Sequence, residues 1–116
     1  MSAGQTSFWG WGYESKFPGD DMRRGLAAHV ARLLGTAEPA LRPLPLIDDV
    51  TLPAPRIEVP ADLAGIASAG KRDRVVHTYG KSFRDQVRGF AGDFAAAPDL
   101  VIYPESEDDI ARVLAW

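Results

Sequence analysis

The sequence contains no cysteine. A disulfide scaffold, a thiolate metal site and a cysteine nucleophile are therefore all excluded from this stretch. No apolar run approaches the roughly 20 residues that cross a bilayer, and the opening MSAGQTSFWG has neither the basic start nor the apolar core of a secretion signal. An excess of positive charge is missing too. The 13 basic and 16 acidic side chains give a net charge of −3 and a pI near 5.3, so no global attraction to nucleic acid is expected. No G-x-G-x-x-G, Walker A or G-x-S-x-G pattern occurs. The two imidazoles, His29 and His77, lack H-x-x-x-H or H-x-x-E spacing and are expected in structural or surface roles. These absences predict a soluble protein of a reducing compartment, the cytoplasm, with no catalytic residue and no metal ligand in the stretch.

What is present reads as ordinary globular sequence. Its 116 residues are 46% hydrophobic and 25% charged, enough for one small domain at most. Proline is concentrated: Pro39, Pro43, Pro45, Pro53, Pro55 and Pro60 are six of the nine. A segment like this lacks backbone donors and is expected to run extended over residues 36–60, on a surface supplied by something else. Leu44, Leu46, Ile47, Val50, Leu52 and Ile57 are its apolar anchors.

Around that segment the pattern predicts helices. Phe8-Trp9-Gly10-Trp11-Gly12-Tyr13 alternates aromatics with glycine, which opposes helix and asks for a surface to bury against. Asp20 or Asp21 reads as an N-cap, Met22, Leu26, Val30, Leu33 and Leu34 recur at helical spacing, and Gly35 is a stop. A helix over 21–34 follows. Pro60 suits the first position of a short helix over 61–69, closed by Gly70. Val76, Tyr79, Phe83 and Val87 suggest two short helices broken near Gly80. Leu100–Tyr103 is the apolar run of a buried strand, stopped by Pro104. Ser106 then caps a helix with Ile110, Val113 and Leu114 as its buried stripe. A strand without a visible partner, followed by a helix that ends uncapped at Trp116, reads as half of a β-α-β unit. Its parallel partner is expected beyond residue 116, so the chain is expected to be an N-terminal piece of something larger.

Two charge features have plain explanations. Asp108 and Asp109 diverge by about 100° on a helix, so they suit helix-start electrostatics and not a shared metal; the pair Asp48 and Asp49 earns no stronger reading. Lys71, Arg72, Arg74, Lys81, Arg84 and Arg88 form a basic segment near Tyr79 and Phe83. A solvated charged face is the expected outcome there, and no nucleic-acid partner is expected.

Three stretches, in order, resemble one family. Trp9-Gly10-Trp11-Gly12-Tyr13-Glu14-Ser15-Lys16-Phe17 resembles the N-terminal motif of alkyldihydroxyacetonephosphate synthases. Arg74-Val75-Val76-His77-Thr78-Tyr79-Gly80-Lys81-Ser82 resembles the segment that precedes their flavin domain. Ala97 to Pro104, through Asp108-Asp109-Ile110, resembles the opening strand and helix of the FAD-binding domain of the vanillyl-alcohol-oxidase, or PCMH-type, superfamily.

The resemblance implies an α+β fold: a mostly helical N-terminal lead-in over 1–97, then the first strand and helix of a PCMH-type FAD-binding domain over 98–116. It implies an FAD flavoenzyme that makes an ether-lipid precursor from acyl-dihydroxyacetone phosphate and a fatty alcohol, usually as a homodimer. Its partners would be a lipid-like or hydroxy-acid small molecule and the rest of its own chain. The resemblance places the pyrophosphate loop and the catalytic side chains beyond Trp116, and residues 104–116 contain no glycine. The cofactor-binding candidates here are Tyr103, Pro104 and Glu105, at the strand end. Two other readings stay open, an FAD-linked oxidase or dehydrogenase of a hydroxy acid or alcohol, and a self-standing interaction module.

Overall fold

The computed structural model describes residues 4–116, a small α+β chain with four α-helices and a two-stranded sheet among the described residues. The chain divides into two compact units. Among the described residues, one contains 4–7 and Trp11–Pro45; the other contains Phe8–Gly10 and Leu46–Trp116.

In the first unit an isolated antiparallel bridge joins Thr6 to Tyr13, and a 3-10 turn follows at Glu14–Lys16. Helix α1 spans Asp20–Leu34. Its N-cap is Gly19, in extended conformation, and not Asp20 or Asp21 as the sequence suggested. Both aspartates already lie inside the first turn, where they pair with Arg23 at 2.8 Å and Arg24 at 2.7 Å. Their charge still favours the positive end of the helix dipole. Gly35 ends the helix at φ +65, a conformation that costs a side chain, with the Thr36 amide closing onto the Ala31 carbonyl. The expected apolar stripe forms but is not covered: Leu26 is 59% exposed and Leu33 72%, while Ala31 is buried. Beyond the helix, Arg23 donates to the carbonyl of Arg42 at 2.6 Å, holding the returning proline-rich chain beside it.

The second unit has the core. Phe8, Val50, Val75 and Phe94 are buried together, with Trp9, Leu52, Val76 and Tyr79 packed around them. The ring of Phe94 meets Phe8 at 5.9 Å and Tyr79 at 5.8 Å between centroids. Gly89 is required by a close approach, since a Cβ there would stand 3.0 Å from Cβ of Trp9. The aromatic segment thus finds its surface through Phe8 and Trp9, whereas Trp11, assigned to the first unit, is 70% exposed.

Where a helix over 61–69 was expected, Leu63 turns back onto the Pro60 carbonyl, a 3-10 turn covers Ala64–Ile66, and strand β1 occupies Ala67–Ser68. Helices α2 (Lys71–Val76) and α3 (Phe83–Phe90) follow, broken at Gly80 as expected, and Ser82 caps α3 by accepting the Asp85 amide. Strand β2 is Val101–Ile102. It pairs antiparallel with β1, Ala67 opposite Ile102 and Ser68 opposite Val101. The expectation that this strand has no partner in the chain is corrected here. The partner was hidden in a stretch whose Pro60 and Gly70 flanks read as helix punctuation. The pairing also crosses the expected 97/98 boundary.

Helix α4 spans Glu107–Ala115, and Ser106 caps it by accepting the Asp109 amide at 3.1 Å. Its supposed buried stripe is largely outward: Ile110 is 48% exposed and Leu114 81%. The inward residue is Asp109, which accepts the Glu105 amide and pairs with Arg112. Phe83 and Val87 on α3 are likewise exposed, unlike Val76 and Tyr79 of the same spacing pattern.

Candidate functional site

The short sheet brings one polar cluster together in the second unit. Tyr103 continues β2 by donating its amide to the Ile66 carbonyl at 2.8 Å. From there its hydroxyl reaches across to Asp73 on α2, donating to Oδ1 at 2.9 Å. The other carboxylate oxygen accepts the hydroxyl of Ser68, the last residue of β1. His77, one turn further along α2, donates from Nδ1 to the Asp73 carbonyl at 2.7 Å, and its ring stands edge-on to Tyr103 with centroids 5.8 Å apart.

The electrostatics follow from these bonds. Two hydroxyl donors, Ser68 above all and then Tyr103, hold the Asp73 carboxyl below the usual carboxylate range, with nearby His77 and Arg72 adding to the effect. The same bond pushes the Tyr103 hydroxyl up, because it stabilises the protonated phenol beside a carboxylate. Both groups are thus driven away from neutral pH, the reverse of what a general acid or base needs. The cluster is a clamp that ties α2 to both strands. It is not acid–base machinery.

At the strand end, Tyr103, Pro104 and Glu105 all lie exposed. Their main-chain donors are committed. The Tyr103 amide is bound to Ile66, proline has none, and the Glu105 amide donates to Asp109 at 2.9 Å. None of these three residues has a spare N–H for a phosphate. What these residues present is the ring of Tyr103 and the carboxylate of Glu105.

Sequence reasoning missed two further interactions because their partners are far apart in the chain. Arg56 grips Asp99 through its Nε, Nη2 and amide, at 2.8 Å for the closest contact. Those bonds hold the Asp99 carboxyl low, with Arg74 contributing. Arg74 was grouped with a solvated basic face, yet it is 4% exposed. Its Nε donates to the Pro98 carbonyl at 2.7 Å and its Nη2 to the Pro53 carbonyl at 2.8 Å. Lys81 from the same group is turned inward as well, donating to the Phe8 carbonyl at 3.0 Å, and burial lowers its pKa. Arg88 lies 5.7 Å from the Tyr79 ring centre. The basic segment is therefore used largely as internal ties. No group of three or more metal-ligating side chains occurs among the described residues, and no described helix is long and apolar enough to cross a membrane.

No protein-family model matches the sequence. Two solved structures of similar fold, an alkyldihydroxyacetonephosphate synthase in P1 and one in P212121, each match over 95% of this chain with a TM-score of 0.67. The fold is alkyldihydroxyacetonephosphate synthase-like. Sequence identity to the two is 22% and 23%, and the chain spans about a quarter of their length, 25% and 24%. A stretch of 44 residues is 41% identical to the alkyldihydroxyacetonephosphate synthase of Dictyostelium discoideum. It makes up 38% of this chain and 7% of that protein, so the homology is partial.

Proposed function

We propose that this chain is the N-terminal part of an FAD-dependent flavoenzyme of the alkyldihydroxyacetonephosphate synthase type. The reaction would join a fatty alcohol to acyl-dihydroxyacetone phosphate with loss of the acyl chain, giving an ether-lipid precursor. The observation that carries this reading is a coincidence of two kinds of likeness. The 41% identical stretch and the solved structures that match 95% of the chain point to the same enzyme. Neither alone would carry it, since the identity is local and the fold match is at 22%.

The residues present fit FAD only in part. A flavin would supply the covalent chemistry of the exchange. Tyr103, Pro104 and Glu105 offer no spare backbone donor for its pyrophosphate, so a grip of the kind glycine-rich loops make is not available at this strand end. Contact there would run through the exposed Tyr103 ring or the Glu105 carboxylate. What the chain's own residues do in this reading is structural. The Tyr103–Asp73–Ser68 clamp fixes the end of β2, and Ser106 and Asp109 fix the start of α4. The division into a lead-in over 1–97 and the opening of a PCMH-type domain at 98, the homodimer and the lipid-like substrate belong to the same proposal.

The test is intact mass and a visible absorption scan on the protein purified from its natural source, followed by an exchange assay. Flavin bands near about 370 and 450 nm, with fatty alcohol incorporated and fatty acid released, are expected. A colourless protein overturns the reading. A flavoprotein that oxidises a hydroxy acid or alcohol and performs no exchange replaces it with the oxidase alternative.

A further inference from the structure

A cleft of about 410 Å³ opens in the second unit between the proline-rich run and the start of α2. Val50, Leu52 and Pro53 form one wall, and Lys71 and Arg74 line it from α2. We propose that this cleft binds a small organic anion, with a carboxylate or phosphate against Lys71 and Arg74 and a short apolar body against Val50, Leu52 and Pro53. The inference does not depend on the synthase reading.

Two cations with neutral partners carry it. Arg74 is 4% exposed, and both of its hydrogen bonds go to main-chain carbonyls, those of Pro98 and Pro53. Lys71, at the solvent-exposed mouth of the cleft, donates to another carbonyl, that of Asp48, at 3.0 Å. Neither is in an ion pair among the described residues. A buried guanidinium whose own hydrogen bonds all go to neutral carbonyls keeps its charge only partly compensated, and an anion beside it would gain a charge-assisted bond.

The carboxylates nearby do not cancel this. Asp99 feels Arg74, but its two oxygens are taken by Arg56. Asp48 also lines the cleft, with its side chain exposed to solvent. Counting Lys71, Arg74 and Arg56 against Asp48 and Asp99 leaves the surroundings one positive charge in excess. The open cleft sets an apolar wall beside two cations, the pairing that a small amphiphilic anion needs.

The test is an amide chemical-shift titration of the whole 15N-labelled chain at constant ionic strength, with sodium butyrate, inorganic phosphate and choline chloride as separate probes. The amides of Thr51, Leu52, Ala69 and Lys71 are expected to shift and saturate for an anion, with Kd at or below about 5 mM, and to ignore choline. Saturation with butyrate but not phosphate assigns a carboxylate ligand; the reverse assigns a phosphate. Lys71→Ala should weaken binding about tenfold or more by removing a charged donor. Arg74→Lys, which keeps the charge and loses the fork, should weaken it in a chain whose amide spectrum stays dispersed. Shifts that stay linear to about 50 mM, equal shifts with choline, or unchanged affinity in Lys71→Ala overturn the proposal.

Discussion

In the first unit, α1 shows Met22, Leu26, Leu33 and Leu34 to solvent and buries Ala31; in the second, Phe94, Leu63 and Val75 are sealed at 2%, 1% and 1% exposure. The two regions are organised by different physics. Helix α1 stands on local signals: aspartates at its start, two ion pairs three residues apart, a glycine at its end. Short-range devices of this kind each supply fractions of a kcal/mol to about 1 kcal/mol. In the second unit α3 and α4 have serine caps of the same local kind, but α2 with 6 residues and the strands with 2 each are too short to stand on such signals. Those short elements exist because side chains distant in sequence converge on Phe94 and because Arg74, Arg56 and Asp73 tie loops together. A helix can be stated by its own sequence and still lack a core, and a core can be built from elements that barely state themselves.

The sharpest way to break that contrast is Phe94→Ala. Truncating a sealed aromatic that touches both Phe8 and Tyr79 should cost about 3–5 kcal/mol, read as a drop in the urea midpoint of the second unit. Helical circular dichroism from α1 should survive at urea concentrations where the tryptophan signal of Trp9, packed edge-on against Phe90, has changed. Simultaneous loss of both signals would show that the two regions fold as one and would dissolve the distinction.

A smaller effect, confined to acid, should come from Asp73→Asn. The folded carboxyl is held below its unfolded value, so it contributes stability above the unfolded pKa and loses that contribution as pH falls through the lower folded one. The window is therefore below about pH 4. Unfolding followed from pH 7 to pH 2 should show a shallower acid decline in Asp73→Asn than in the parent, with Asp99 and Asp109 accounting for the decline that remains. Parallel curves would mean that the Ser68–Asp73–Tyr103 clamp does not form in solution.

How much of this was legible in the sequence follows the same division. Helix α1 was legible nearly to the residue, because its start, period and stop are encoded within 15 consecutive positions. Its cap was misplaced by one or two residues, since glycine at 19 and aspartate at 20 both suit a helix start. The Ser106 and Gly80 punctuation held for the same local reason. Strand β1 was not legible, for Ala67-Ser68 carries no alternation and gains its extended form from Val101 and Ile102, some 34 positions away. Burial was the least legible. Ile110 and Leu114 sit at core spacing and face outward, while Arg74 and Asp109 sit among charges and face inward. Spacing says which residues share a face; only the partner decides whether that face is the wet one. Tyr103, Pro104 and Glu105 could be placed at a strand end, but not the loss of their backbone donors to Ile66 and Asp109.

Gly35→Ala tests the local side of the comparison. At φ +65 an added side chain should cost about 1 kcal/mol, somewhat more if no relaxation is possible. The change should appear as fraying of the last turn of α1, measured by amide exchange at Leu33–Thr36. Exchange in Val75 and Phe94 should not change. Equal acceleration at those core amides would count against independent stabilisation.

The smallest effect is expected on the outer face of α1, and it is the one that most sharpens the contrast. Leu26→Gln replaces a side chain that is 59% exposed with one of similar length and similar helix propensity. A substitution that removes no buried contact usually falls within about 0.5 kcal/mol, so the unfolding midpoint should hardly move. Because Leu26, Leu33 and Leu34 are apolar, the direction of any change is informative. Near-neutrality leaves α1 as a helix specified by its ends with an apolar side facing water. A loss above about 2 kcal/mol, the size expected for a truncated core leucine, would show that this side is covered in solution. In that case α1 would owe its stability to packing after all, and the two regions would differ only in where the packing comes from.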